Sequence, residues 1–293
     1  MFCNRYSDRL QSETVKGIVR ASDSTYSFYT DEKRIMKITK TLILLCSLLL
    51  VAPAAHAEKI TVAAAADLKF ALDEVVMAFK KAHPAEEVEV IYGSSGKAHT
   101  QIQQGAPYDV YFSADVAYPQ ELIKTGFSAS TEVIPYALGR IVLWSSSRDA
   151  GKMTLASLID PKIAHVAIAN PKHAPYGKRA EEALRASKLW EKVEPKLIYG
   201  ENITQTAQFV QSGNAEVGIL ALSIAVAPEL SSKGGYYLIQ DDLHEPLNQG
   251  FIILKRAENN KLAKQFADYM GSKDTRTIMT RYGFVLPGEA TGK

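Results

Sequence analysis

The residues richest in chemistry are Gly93-Ser94-Ser95-Gly96-Lys97, which close the alternating run Val88-Glu89-Val90-Ile91-Tyr92 and open a segment of helical character. A strand that turns through glycine and serine into a helix leaves backbone N–H groups without intrahelical acceptors and sets hydroxyl donors beside them, as an anion site requires. Three more stretches have a related form: Ala65-Ala66-Asp67, Pro175-Tyr176-Gly177 and Asn202-Ile203-Thr204. Four helix N-termini meeting at one point would hold an anion without a cationic side chain. Every α/β protein has such junctions and most bind nothing, so the reading depends on all four converging.

Rival chemistries fit less well. The position of the first glycine of a Walker loop holds Ile91, and a Gly-x-Ser-x-Gly elbow around Ser95 fails at Lys97. Ser94-x-x-Lys97 with Lys124-Thr125-Gly126 and Ser212-Gly213-Asn214 imitates a serine penicillin-recognising hydrolase. In that class the lysine-threonine-glycine element comes last, whereas here it precedes Ser212. The six histidines show no ligand spacing, which argues against zinc. Lys97 is expected to face solvent. Asp67, ill-placed electrostatically beside an anion, is expected to be an N-cap whose backbone faces the site. Trp190 and Tyr199 are expected in the core.

The elements that must position these junctions alternate. Strand Lys59 to Ala66, helix Leu68 to Ala82, strand Val88 to Tyr92, a helix from Ser94 or Ser95 to Gln104, strand Tyr108 to Phe112 and helix Tyr118 to Lys124 form one set. A long apolar strand, Ala137 to Trp144, leads into a second: strand His165 to Ala169, helix Tyr176 to Ser187, strand Lys196 to Tyr199, helix Ile203 to Gln211 and strand Val217 to Leu220. Phe251 to Leu254 returns, and helices at Lys261 to Met270 and Thr275 to Tyr282 close the chain. This is an α/β pattern of right-handed crossovers and mostly parallel sheets, in two lobes with a ligand cleft between them. Residues 58–138 with 249–293 are assigned to lobe 1 and residues 139–248 to lobe 2.

Composition, 46% hydrophobic and 23% charged over 293 residues, is that of an ordinary globular protein. Met36-Lys37-Ile38-Thr39-Lys40, the apolar run Leu42 to Ala52 and Ala55-His56-Ala57 read as a secretory signal peptide over 36–57, cleaved before Glu58. Residues 1–35 resemble no leader and read as a mis-assigned upstream extension. Both cysteines, Cys3 and Cys46, fall before Glu58, so the exported chain has no disulfide and no thiolate chemistry. Residues 58–293 carry 26 Lys+Arg against 27 Asp+Glu, a balance that gives no support to nucleic-acid binding.

Several blocks are specific enough to resemble a known family: Ile60 to Leu68, Ser94-Ser95 with Gln101-Ile102, Gly105 to Asp115, Asn170 to Gly177 and Arg281-Tyr282-Gly283-Phe284. In register from Lys59 to about Pro287, the chain is similar to the periplasmic molybdate-binding proteins of ABC transporters. That resemblance implies a two-lobed type II periplasmic binding protein that captures molybdate or tungstate and delivers it to an inner-membrane permease. It implies a monomeric, non-catalytic protein without a cofactor, with molybdenum present only as the oxyanion. Carried over by position, the ligand contacts fall on Ala66, Asp67, Ser95 with Ser94 beside it, Tyr176 and Ile203. A family tyrosine falls on Ala221, and Asp67 stands where many members have a hydroxyl, so the Tyr176 phenol is expected to supply the missing donor. A cage of neutral donors discriminates by radius, admitting molybdate and tungstate alike and rejecting sulfate. The alternative is a sulfate- or thiosulfate-binding protein, whose loop is also Gly-Ser-Gly-Lys-like.

Overall fold

The computed structural model describes residue 36 and residues 58–289. The chain divides into two compact units, Met1–His56 and Ala57–Lys293, and the fold is that of the second. The extension 1–35 and, apart from Met36, the leader 36–57 lie outside the described residues.

β1 (Lys59–Ala65) is apolar and almost wholly buried from Ile60 onward, as an interior parallel strand must be. β2 (Glu87–Gly93) alternates exposed and half-buried residues at the sheet edge, where Lys59 bridges Glu87 and Glu89 at 3.0 Å each. Between them α1 (Lys69–Ala82) turns Leu72, Val75 and Phe79 inward at helical spacing and stops short of Pro84. α2 (Ser95–Gln103) is followed by Gly105, whose φ of +88° suits glycine. β3 (Val110–Ser113) and α3 (Ala117–Lys124) complete the first set.

The run Ala137–Trp144 is not the single strand expected. It divides at Arg140 into β4 (Ile134–Gly139) and β5 (Ile141–Ser145), which join different sheets. The break falls where only glycine fits, since a Cβ on Gly139 would lie 2.4 Å from the Tyr176 hydroxyl and 2.5 Å from Gln249 Nε2. Lobe 2 continues with β6 (Val166–Ala169), α4 (Pro175–Ala186), β7 (Leu197–Gly200), α5 (Ile203–Gln211), β8 (Val217–Ala221) and β9 (Gly235–Leu238), the last unforeseen. β10 (Leu247–Ile253) returns to lobe 1, followed by α6 (Lys261–Tyr269) and α7 (Lys273–Arg281).

The sheet orders are β2-β1-β3-β10-β4 and β7-β6-β8-β5-β9. In each, four strands point one way and one is reversed, β10 in the first and β5 in the second. Each reversed strand is the one that has just crossed from the other lobe. The aromatics Phe79, Phe112, Phe251 and Phe266 pack the core of lobe 1, and Trp144 lies in that of lobe 2. Trp190 is buried as expected, but Tyr199 sits on the edge strand β7 and is 44% exposed.

Candidate functional site

Parallel pairing decides where the junctions meet. Ala65 at the end of β1 lies in register with Gly93 at the end of β2, and Ala169 of β6 with Gly200 of β7. Each lobe thereby presents two adjacent strand ends, and the turns or helices that follow start on the same side. One cavity lies where these ends face each other, lined by Ala66, Asp67, Ser94, Ser95, Tyr176 and Ile203, the six expected residues, with Ala65, Gly93, Ala114, Ala174, Pro175 and Asn202. Its volume is about 10 Å³, the space of about one water molecule, which excludes any sizeable organic molecule. No lysine, arginine or histidine lines it.

The two serines have different duties. Ser95, the first residue of α2, accepts the Ala114 N–H at its Oγ (3.0 Å), which leaves the hydroxyl proton uncommitted beside the cavity. Ser94 Oγ instead meets His173 Nδ1 across the cleft at 2.9 Å, and the Gly96 N–H donates to His173 O at 2.9 Å. Burial, with Lys97 nearby, holds the His173 imidazole below its ordinary value. Lys97 does not simply face solvent: it is half-exposed and pairs with Glu201 of lobe 2. In lobe 2 the N–H groups opening α4 and α5 have no intrahelical acceptors, except that Gln205 N–H is taken by the N-cap Asn202 Oδ1 at 3.0 Å.

Asp67 is not the N-cap expected. It lies inside a single 3₁₀ turn, Ala66–Leu68, whose N-cap position is Ala65, and its side chain turns to the lobe interface. Its Oδ2 accepts the Tyr176 hydroxyl of lobe 2 at 2.9 Å and Gln249 Nε2 of β10 at 2.9 Å, while that amide is also 2.9 Å from the Tyr176 hydroxyl. The burial that removes water wins over the local capping preference. Burial pushes the Asp67 carboxyl up to about 6, against the opposing pull of the Gln249 and Tyr176 hydrogen bonds. The Tyr176 phenol is raised well above its ordinary value, by burial and then by Asp67, and keeps its proton. That one proton is directed at Asp67, so the phenol differs from the free donor expected; Tyr176 faces the cavity at the start of α4.

Further cross-lobe bonds fix the same turn. Thr204 Oγ1 donates to Ala66 O at 3.1 Å and Ser223 Oγ to Asp67 O at 2.8 Å. Sequence reasoning missed Gln249, His173 and Ser223, and placed Thr204 at one of the four junctions without its bond to Ala66. A signal existed for Gln249, a polar side chain amid the apolar Leu247–Ile253, and for Asn202, which precedes Gln205 by the spacing of a capping box. Ala221 is fully buried at the end of β8 and does not line the cavity. The hydrolase-like triplets stay apart: the Thr125 and Ser212 hydroxyls bond carbonyls of their own helices, and neither residue lines the cavity.

Residues 60–285 match the family of bacterial extracellular solute-binding proteins, and the chain belongs to that family. Within it, the chain is 35% identical over 198 residues to the molybdate-binding protein ModA of Rhodobacter capsulatus, covering 68% of this chain and 77% of the relative. It is 34% identical over 237 residues to ModA of Azotobacter vinelandii, covering 81% and 94%. The solved Azotobacter vinelandii periplasmic molybdate-binding protein superposes with a TM-score of 0.73 at 29% identity, over 78% of this chain and 99% of that one. These relatives are binding proteins rather than enzymes. The sulfate-binding protein SubI of Mycobacterium tuberculosis shares the fold, at 16% identity and a TM-score of 0.64 over 79% of this chain and 88% of that one.

Proposed function

We propose that this protein captures molybdate, and tungstate with it, between its lobes and hands it to the membrane permease of an ABC transporter. The observation that carries this reading is the small cavity where Ser95 and the helix starts at Tyr176 and Ile203 converge without any cationic side chain. A tetrahedral dianion removed from water needs hydrogen-bond donors on every side, and N–H and O–H groups aimed from two lobes supply them without the cost of burying a lysine or arginine. The residues contact the oxygens of the anion, not the metal. Ser95 donates its hydroxyl, Ala66, Asp67, Tyr176 and Ile203 surround the anion with their backbone, and Ser94 holds the lobes together through His173.

The likeness to proteins named for molybdate gives the anion its identity. On this reading the protein performs no catalysis, needs no cofactor, acts as a monomer and reaches the periplasm through the cleaved leader 36–57. Thermal unfolding with molybdate, tungstate, sulfate and phosphate tests it. Molybdate and tungstate should stabilise the protein by about 2.7 kcal/mol at a hundredfold excess over the dissociation constant, and sulfate at the same concentration should not. Equal shifts with sulfate would favour the sulfate-binding alternative instead.

A further inference from the structure

We propose that Asp67 binds the oxyanion as a neutral carboxylic acid, donating a hydrogen bond through Oδ1, so that each anion captured takes up one proton. The proposal rests on the oxyanion reading above. Asp67 lines the cavity, is 1% exposed, and both side chains that reach its carboxyl converge on one oxygen: Tyr176 and Gln249 each stand 2.9 Å from Oδ2. The other oxygen, Oδ1, is buried without a hydrogen-bond partner. One oxygen accepting both side-chain hydrogen bonds and the other accepting none from a side chain is the pattern of a carbonyl beside a hydroxyl, with the hydroxyl proton still to be given.

The surrounding charges demand the same outcome. The groups facing the carboxyl are the phenols of Tyr176 from α4 and Tyr136 from β4, the amide of Gln249 from β10 and the backbone N–H groups of Asp67 and Leu68, and burial outweighs the pull of these donors toward the charged form. The hydroxyls that α5 and the one-turn helix Leu222–Ala225 contribute, Thr204 and Ser223, bond backbone carbonyls of the turn. Arg140, which follows Gly139, and Arg179, which shares α4 with Tyr176, form no bond to Asp67. Arg140 donates to Gly283 O at 3.1 Å, and Arg179 bonds Glu182 at 2.7 Å with Asp115 3.7 Å away. Among the described residues Asp67 forms no ion pair. A dianion in the same closed cavity would therefore stand beside a third, uncompensated negative charge in a low dielectric, and a proton on Asp67 removes that repulsion while adding a donor. The unliganded carboxyl, already raised to about 6 through burial, is half-protonated near pH 6 and needs only a modest further rise to hold its proton at neutrality.

The sign follows from linkage. The anion raises a carboxyl that titrates at about 6 when the site is empty, so binding above that pH draws in a proton and weakens about tenfold per pH unit, whereas below it the affinity levels off. Calorimetric titration of the purified protein with molybdate, between about pH 6 and pH 9 in buffers of differing ionisation enthalpy, reads both the affinity and the proton count. We expect close to one proton taken up per anion in the upper part of that range. Asp67→Asn keeps an acceptor for Tyr176 and Gln249 and offers a permanent donor. It should bind without proton uptake, independently of pH, and about tenfold or more tighter than the parent near pH 8. A gain of that kind cannot come from misfolding. Parent binding that is independent of pH and releases or absorbs no proton overturns this proposal alone, as does an unchanged pH slope in Asp67→Asn. Absence of molybdate binding by both proteins at every pH overturns the oxyanion reading and this proposal with it.

Discussion

The two lobes share one strand plan and differ in what they bring to the cleft. Lobe 1 reads β2-β1-β3 with β10 reversed beside it, and lobe 2 reads β7-β6-β8 with β5 reversed beside it. Yet lobe 1 supplies the groups with protons or charge to exchange, Ser95 and Asp67, whereas lobe 2 supplies helix starts and the side chains that close over them, Tyr176, Thr204, Ser223 and His173. Topology alone therefore makes a place for an anion twice, and side chains decide which half chooses the ligand and which half holds the lid. If this division is right, substitutions at equivalent positions in the two lobes should fail in different ways.

The glycines one or two residues into α2 and α4 give the largest contrast. A Cβ on Gly177 would lie 2.0 Å from Ala169 O, a backbone atom of lobe 2 itself, so Gly177→Ala must force α4 off β6. Overpacking against backbone should cost about 3 kcal/mol of stability with or without ligand, read by denaturant unfolding. A Cβ on Gly96 would lie 2.7 Å from His173 O, across the cleft, and 2.8 Å from the movable Tyr118 hydroxyl. Opening the lobes relieves the first contact. Gly96→Ala should leave unliganded stability within about 1 kcal/mol of the parent while weakening molybdate by about 1–2 kcal/mol. Equal loss of stability in both variants would end the distinction between an internal contact and a closure contact.

The adjacent serines sharpen the comparison within lobe 1. Ser95→Ala removes the uncommitted donor and leaves the buried Ala114 N–H without its acceptor, so molybdate binding should weaken by about 1.5–3 kcal/mol. Ser94→Ala removes only a cross-lobe bond to His173 and should cost about 0.5–1.5 kcal/mol. Calorimetry on both gives the ranking, and the reverse order would make Ser94 the ligand.

How much of this was legible follows the range over which each residue acts. The junctions at Ala66, Ser95, Tyr176 and Ile203 announce themselves locally, because strand alternation stops and helical spacing begins within a few residues. Their convergence needed the resemblance to a family and the register Ala65 to Gly93 and Ala169 to Gly200. Gln249 reaches Asp67 across 182 residues of chain, and His173 reaches Ser94 across 79. No local pattern encodes such pairings. Asp67 departs from its local preference for a physical reason: an aspartate before a helix is a good N-cap in water, but here the lobe interface removes the water and brings Tyr176 and Gln249 to the carboxyl. The unbroken apolar run Ala137–Trp144 hid its division because both halves are buried strands, in different sheets.

The smallest effect is expected at Lys97, where the two lobes meet through opposite charges. Lys97 of lobe 1 pairs with Glu201 of lobe 2, and His173 Nε2 lies 3.8 Å from the same carboxylate. Both members of the Lys97–Glu201 pair are 52% exposed, and ion pairs in that setting contribute at most about 1 kcal/mol and fade with salt. Lys97 lies outside the cavity, so its charge does not touch the anion. Lys97→Ala should therefore weaken molybdate by less than about 1 kcal/mol, and the difference from the parent should vanish at about 1 M salt as the Debye length shrinks to about 3 Å. Because the pair closes the cleft and does not bind the ligand, the loss should appear as faster release with little change in capture, which stopped-flow measurements separate. A loss as large as that of Ser95→Ala would instead make Lys97 a direct charge partner of the anion, and the site would no longer be a cage of neutral donors.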